Sequence, residues 1–151
     1  MTNPRTAYRE NDVCGASPSR LVVLLYDQLV QDLSLALRAE EQGEIELRTQ
    51  RLNHAILVIG HLQSPLDFEK GGKVAKDLDD YYNNLRQSLV QVQFFPSAAA
   101  FGQILTDLIT VRGAWAEVER AEMASLGGQL AAQPAPDPAN AEPSPRSAWE
   151  G

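Results

Sequence analysis

The stretch from Ala16 to Asp27, which reads ASPSRLVVLLYD, constrains the fold of this chain more than any other segment. Ser17 is a favourable N-cap because its hydroxyl can accept a backbone N–H of the first turn, and Pro18 suits the first helical position. A helix is therefore predicted to begin at Pro18. The apolar run from Leu21 to Leu25 then points around almost the whole circumference, although a surface helix normally keeps one polar face for water. Another segment or a partner has to cover this apolar surplus.

Length and charge narrow the class of protein. A chain of 151 residues has the length of a single domain. The formal net charge of −7 argues against a nucleic-acid binder, because phosphate contacts need a basic surface. The single cysteine, Cys14, cannot form an internal disulfide. The N-terminus lacks the apolar core of a signal peptide, and no apolar run approaches the roughly 18 residues of a membrane span. We therefore expect a cytoplasmic protein without membrane insertion.

Four segments show the 3.6-residue rhythm of amphipathic helices, and none shows sustained strand alternation. The predicted helices span residues 18–42, 44 to about 65, 72–95, and 97 to the glycines at 127 and 128. Because the connections are short, the sequence predicts an all-α fold, an antiparallel up-and-down bundle of four main helices. The expected organisation is a mobile N-terminal segment at 1–16, the bundle at 17–126 and a disordered, Pro- and Ala-rich tail at 127–151.

Few residues have the spacing of a catalytic or metal site. His54 and His61 are seven residues apart on one predicted helix, so they lie roughly 10.5 Å apart along its axis and cannot share one metal. Gly71, Gly72 and Lys73 lack the spacing of a phosphate-binding loop, and Val74 stands where that loop needs Ser or Thr. We therefore predict that the protein is not an enzyme and that it has no metal or cofactor.

The second predicted helix repeats the apolar surplus of the first, because the residues from Ala55 to Ile59 are again apolar all round. Several of four large side chains on these two helices should lie outside the central core unless something covers them: Val22, Val23, Leu57 and Val58. One explanation is a groove for a partner. The other is permanent cover, either by the N-terminal segment with Tyr8 and Val13 or by a second copy of the chain.

Several of these landmarks resemble the flagellar export chaperones of the FliS type. The similarity covers about residues 7–118: it begins with Ala7 and Tyr8, continues through ASPSRLVVLLYD, resumes in LQSPLDFEKGGKVAKDLDDYYNNL, and ends near Ala114 and Trp115. The chain departs from the family pattern at Pro65, at Asp77 and in its longer C-terminal tail.

The resemblance implies a cytoplasmic helical bundle that holds the disordered C-terminal segment of flagellin, prevents its early polymerisation and delivers it to the flagellar export machinery. In that family the client wraps around apolar grooves while the chaperone's own N-terminal segment moves aside, and Tyr8 matches the tyrosine of that segment. The alternative is a homodimeric structural or regulatory bundle that does not bind flagellin, and weak homodimerisation stays open. The candidate partner-binding residues are Tyr8, Leu21, Leu25, Tyr26, Ile56, Ile59, Leu78 and Tyr82.

Overall fold

Four helices make up the fold in the computed structural model, which describes residues 7–8 and 17–132, with side chains to residue 127. Their bounds are Pro18–Glu41 (α1), Ile45–Gln63 (α2), Phe68–Phe94 (α3) and Ala98–Ala132 (α4). Within this part of the chain the only β pairing recorded is an isolated bridge between Tyr8 and Leu66. The prediction of an all-α, four-helix bundle is confirmed.

The helix starts follow the predicted capping. The Ser17 side chain accepts the backbone N–H of Arg20 at 3.2 Å, and Pro18 occupies the first turn of α1. The Ser97 hydroxyl accepts the backbone N–H of Ala100 at 3.0 Å, as expected for an N-cap of α4. Gly43, with φ 73°, follows α1 in the left-handed region that favours glycine.

Two predicted helix bounds are wrong. Helix α3 begins at Phe68 rather than residue 72, because the Asp67 carboxylate accepts the N–H groups of Glu69 and Lys70 and caps an earlier first turn. The helix is kinked at Gly72, where φ is 53°. Helix α4 continues through the glycines at 127 and 128 to Ala132, since an interior glycine costs about 1 kcal/mol and does not forbid a helix.

One hydrophobic core joins all four helices up to Glu119. Helix α1 packs against α2, and α2 packs against α3. Helix α4 contributes three buried side chains at seven-residue spacing, Phe101, Leu108 and Trp115, which is the repeat of a helix that lies along its neighbours. Ion pairs from Asp27 to Arg112 and from Arg20 to Glu119 connect α1 to α4.

Of the four surplus side chains, several of which are expected to lie outside the core unless covered, only one does. Val22, Val23 and Val58 are at most 3% exposed, whereas Leu57 is 58% exposed. The reason is that each of these two helices is flanked on two sides, α1 by α2 and α4, and α2 by α1 and α3. A helix between two neighbours buries a wider arc than one that lies against a single face.

Chain contacts divide the protein into two units, one up to Glu119 and the other from Arg120, and α4 contributes residues to both. Across the described residues, none of the helices carries an apolar stretch long enough to cross a bilayer. The predicted mobile segment at 1–16, apart from the pair at 7–8, falls outside the described residues, as does the predicted disordered tail at 127–151 beyond residue 132.

Candidate functional site

Ala7 and Tyr8, which we call the plug, lie against the connection between α2 and α3. The backbone N–H of Asp67 donates to the carbonyl of Ala7 at 2.6 Å, and Tyr8 forms the antiparallel bridge with Leu66. Ala7 is fully buried and Tyr8 is 5% exposed. The plug is therefore held by one backbone hydrogen bond and one isolated bridge, with Ala7 in a 3-10 turn and Tyr8 paired with Leu66.

Gly71 allows the plug to approach α3 closely. A Cβ atom at position 71 would lie 2.7 Å from the Cα of Ala7 and 2.8 Å from the Cβ of Ala75. Heavy atoms at that separation overlap, so any side chain at this position would push the plug backbone away. The glycine is thus required for the close contact between the plug and α3.

The Tyr8 side chain completes a buried chain of tyrosine hydroxyls. Its hydroxyl lies 2.5 Å from that of Tyr82, and the hydroxyl of Tyr26 donates to Tyr82 at 3.1 Å. The Tyr8 ring meets the indole of Trp115 edge to face, with centroids 5.5 Å apart. Residues from α1, α3 and α4 therefore form one pocket around the plug tyrosine.

Burial holds these hydroxyls in their protonated form. It is the main cause that raises the pKa of Tyr8, Tyr26 and Tyr82 above the ordinary value of 10, and negative charge on neighbouring phenols would raise each further. The three groups are neutral hydrogen-bonding partners near pH 7. They fix the position of the plug and have no evident role as acids or bases.

The structure brings three of the eight predicted residues together in the plug pocket: Tyr8, Tyr26 and Tyr82. Ile59 is fully buried in the core of α2. The other four are half-buried: Leu25, Ile56 and Leu78 pack against the core, and Leu21, on α1, is not among the described side chains that pack against it. Tyr26 and Tyr82 could therefore contact a binding partner only after the plug is displaced.

A separate groove runs along the seam between α3 and α4. It has a volume of about 620 Å³ and is lined by Tyr81, Leu85 and Ser88 on α3 and by residues from Ala99 to Thr110 on α4. A second depression of about 370 Å³ adjoins it, and the two share Ser88, Gln103 and Ile104. Small side chains on α4, including Gly102, keep this groove open.

Tyr81 connects the groove to the plug pocket. Its ring meets that of Tyr82 at a centroid distance of 5.6 Å, and its buried hydroxyl contacts Asp107 without the geometry of a good hydrogen bond. Burial, and then the charge of Asp107, raises the pKa of Tyr81 to about 12. The groove wall thus carries a neutral hydroxyl donor next to a carboxylate.

The two histidines have different surroundings. His54 Nδ1 lies 2.6 Å from the buried carboxylate of Asp32, which also accepts from Gln28 at 3.1 Å and lies 3.8 Å from Arg51. His61 is exposed on the same helix. Among the residues that the structure describes, His, Cys, Asp and Glu form no group of three or more that could hold a metal ion.

Sequence reasoning did not assign a role to Ala7, Leu66, Asp67, Gly71 or Trp115, although these residues are among the landmarks that carry the family resemblance. The structure places Ala7 in the plug itself and the other four around it. The signal that could have identified them is that all five are landmarks of the family resemblance although they lie far apart in the sequence. The α3–α4 groove had no such signal, because small residues on a helix do not stand out by pattern.

Comparison with known proteins finds, over most of the chain, the same family that the sequence landmarks resemble. The family model described as flagellar protein FliS matches residues 1–122. The flagellar secretion chaperone FliS of Salmonella typhimurium is 31% identical over 110 residues, covering 72% of this chain and 82% of the relative. FliSB of Pseudomonas aeruginosa is 30% identical, covering 70% and 84%. FliS of Bacillus subtilis is 25% identical, covering 81% and 90%.

Proposed function

Because this chain belongs to the FliS family of flagellar proteins, we propose that it is a cytoplasmic secretion chaperone that binds the disordered C-terminal segment of flagellin. In this role it prevents premature polymerisation and delivers flagellin to the flagellar export apparatus. It acts by binding and releasing its client, without a chemical reaction.

The plug is the observation on which this proposal mainly rests. Ala7 and Tyr8 belong to the N-terminal segment, yet they occupy a pocket formed by α1, α3, α4 and the α2–α3 connection. The body keeps its own core of four packed helices beneath them. A client segment that enters this pocket can therefore replace the plug while the bundle stays folded.

The α3–α4 groove supports the proposal from a second side. An amphipathic helix binds a partner by placing its apolar face in such a groove. Ile104, Val92 and Phe95 supply apolar walls, and Gly102 lets a guest backbone come close. Filament assembly buries amphipathic faces of flagellin against other copies, so a face held in this groove is withheld from polymerisation.

The energetics suit reversible capture. Ordering a disordered segment on binding typically opposes the interaction by about 2–5 kcal/mol, so a large interface can still release its client. The docked plug adds to this effect, because only molecules with an open pocket bind the client and the apparent affinity falls by that fraction. The plug also covers apolar surface in the free chaperone, which opposes self-association.

Calorimetry with the flagellin C-terminal segment tests the proposal. We expect one-to-one binding at micromolar concentration or below to the full chain. Gly102→Leu should weaken binding about tenfold or more by filling the groove. Gly113→Leu is the matched control on the same helix, since a Cβ atom at either glycine meets no other atom within 4 Å and only Gly102 lies in the groove lining.

Two results would contradict this proposal. If the flagellin segment does not bind at micromolar concentration, flagellin is not the client. If Gly102→Leu and Gly113→Leu lose the same amount of affinity, the groove is not the binding site. Light scattering on the free protein addresses the homodimer: a mass of twice the monomer that persists on dilution, together with no flagellin binding, would favour a structural bundle.

A further inference from the structure

Two large apolar side chains lie exposed at the end of α2 that is far from the plug. The plug contacts the connection that follows α2, whereas Ile45 is the first residue of α2 and Phe94 is the last residue of α3. Ile45 is 63% exposed and Phe94 is 73% exposed. Single exposed apolar residues are ordinary on a protein surface, so the interest of these two depends on what surrounds them.

Arg48 holds the two helix ends together. Its guanidinium pairs with Glu40 on α1 and donates to the backbone carbonyl of Gln93 on α3 at 3.5 Å. Ile45 lies about one helical turn before Arg48, and Phe94 directly follows Gln93. The two exposed side chains therefore belong to one end of the bundle, which these contacts fix in place.

A depression of about 460 Å³ lies at the start of α2. Its lining combines two aliphatic side chains with two carboxylates. We call the following residues the turn surface: Glu44, Ile45, Glu46, Leu47 and Gln50 from the lining of this depression, together with Phe94.

Negative charge dominates this end of the molecule. Residues 38–48 contain four glutamates and two arginines, and Arg48 is already paired with Glu40. The neighbouring connection between α3 and α4 supplies no compensating cation, because residues 87–106 contain no charged side chain. The exposed apolar groups are thus bordered by carboxylates on one side and by uncharged residues on the other.

Helix formation explains only part of this arrangement. Glu46 lies in the first turn of α2, where negative charge favours the helix dipole. Glu44 precedes α2, but its carboxylate makes no capping hydrogen bond, and Ile45 stays exposed between the two. An apolar side chain between carboxylates suits lysine or arginine, whose aliphatic stem lies along apolar surface while its charged head extends beyond it.

The charges also decide which occupant the turn surface can take. A second copy of the chain would bring the same glutamates together, and residues 133–151, with three acidic residues and one arginine, have the same sign. An anionic lipid bilayer is negative as well. Like charges oppose docking in all three cases, so the charges favour a cationic segment of another protein.

We propose that the turn surface docks a basic amphipathic segment of a partner protein. Apolar side chains of that segment lie on Ile45 and Phe94, and its lysine or arginine side chains lie beside Glu44 and Glu46. The turn surface shares no lining residue with the α3–α4 groove. A chaperone that has bound its client therefore keeps this surface for a second partner, and the inference does not depend on the identity of the client.

A labelled model peptide tests this docking surface on the full chain. The probe is a fluorescein-labelled peptide of leucine and lysine, about 18 residues long so that it can form a helix, with leucine along one face. Its comparator has glutamine in place of lysine. In anisotropy titrations we expect saturable binding of the lysine peptide that weakens as salt rises, and binding of the comparator about tenfold weaker or more. Equal binding of the two peptides would overturn the inference.

Matched charge variants locate the site. Glu44→Gln combined with Glu46→Gln should weaken binding of the lysine peptide about tenfold. Asp77→Asn combined with Asp80→Asn changes the net charge by the same amount on α3, where each carboxylate pairs with a lysine, and should change binding by no more than about twofold. Equal losses in the two double variants would reduce the effect to net charge and would overturn the inference.

Phe94→Gln tests the apolar half of the surface. It should weaken binding of the lysine peptide about fivefold, whereas Ile109→Gln, at a position 54% exposed on α4, should leave binding unchanged. Because both side chains are exposed, both variants should fold, which thermal unfolding by circular dichroism checks. Unchanged binding in Phe94→Gln, or the same loss in Ile109→Gln, would contradict the proposal.

The other occupants are tested in parallel. Saturation with the flagellin C-terminal segment should leave the labelled peptide bound, and its displacement would assign the turn surface to the client and refute the inference. If the flagellin segment does not bind at all, the proposed function fails while the peptide titrations still decide this inference. Binding of the chain to phosphatidylglycerol vesicles that Phe94→Gln abolishes, or a dimer in light scattering that Phe94→Gln dissociates, would replace the cationic segment by a membrane or a second copy.

Discussion

Removing the plug side chain should change stability and client affinity in opposite directions. A tyrosine that is 5% exposed buries roughly 200 Å², which corresponds to about 5 kcal/mol at 25 cal/mol/Å². Ordering the backbone of Ala7 and Tyr8 opposes this by about 3 kcal/mol, and the hydrogen bond to Tyr82 adds about 1 kcal/mol. The docked plug is therefore worth about 3 kcal/mol.

Tyr8→Ala should lower the free energy of unfolding by about that amount, measured by urea denaturation. The same 3 kcal/mol keeps the pocket closed in all but roughly one molecule in 150, so opening it should raise the apparent affinity for the flagellin segment by up to roughly 150-fold in calorimetry. Tyr8→Phe loses only the hydroxyl contact, about 1 kcal/mol, and should give a rise of about fivefold.

A fall in client affinity in Tyr8→Ala would refute this reasoning, because it would make Tyr8 a contact or a brace for the client rather than its competitor. Asp32→Ala, which removes a buried side chain outside both the plug and the α3–α4 groove, serves as the control. It should leave the affinity unchanged within about twofold.

Other perturbations test the packing around the site and the core. Gly71→Ala should expel the plug and, like Tyr8→Ala, raise the client affinity measured by calorimetry. Gly113→Ala is the control, because a Cβ atom at position 113 meets no neighbouring atom. It should leave client affinity unchanged and raise the free energy of unfolding in urea by up to about 1 kcal/mol, since alanine favours the helix more than glycine. Asp32→Ala should lower the free energy of unfolding by about 2–3 kcal/mol without altering client affinity. The substitution removes a buried carboxylate between α1 and α2. The loss stays moderate because its partner His54 is half-exposed and can turn to water. In the unfolded chain the tyrosines lose their protons near pH 10, but the folded ones hold theirs to higher pH, so stability should be full below about pH 10 and fall above it in urea titrations at stepped pH. An ultraviolet titration that shows tyrosine ionisation near pH 10 in the folded protein would contradict this.

The fold was largely predictable because its signals are local. Ser17, Pro18, Gly43 and Ser97 act through hydrogen bonds and dihedral angles within a few residues, and these marked three of the helix ends correctly. The start of α3 was missed because Asp67 was not recognised as its cap. The end of α4 was missed because glycine only weakens a helix, and neighbouring residues decide whether it continues.

The site was predicted only in part, because its geometry depends on residues far apart in the chain. Tyr8, Tyr26 and Tyr82 were named as candidates, but not as members of one hydrogen-bonded chain. The role of Gly71 needed the position of Ala7, which lies 64 residues earlier in the sequence. Nothing in a local pattern reports such a contact.

The sequence by itself determined that this chain forms amphipathic helices with short connections, that these helices carry more apolar surface than one face of each can bury, and that its landmarks resemble those of a chaperone family. Only the tertiary structure decided how that surface is used. Val22, Val23 and Val58 are buried because their helices are flanked on two sides. The candidate binding surfaces are instead the pocket that the plug occupies and the groove between α3 and α4. The physical reason is that helix formation depends on neighbours within about four residues, whereas burial depends on which surfaces meet after the helices have packed.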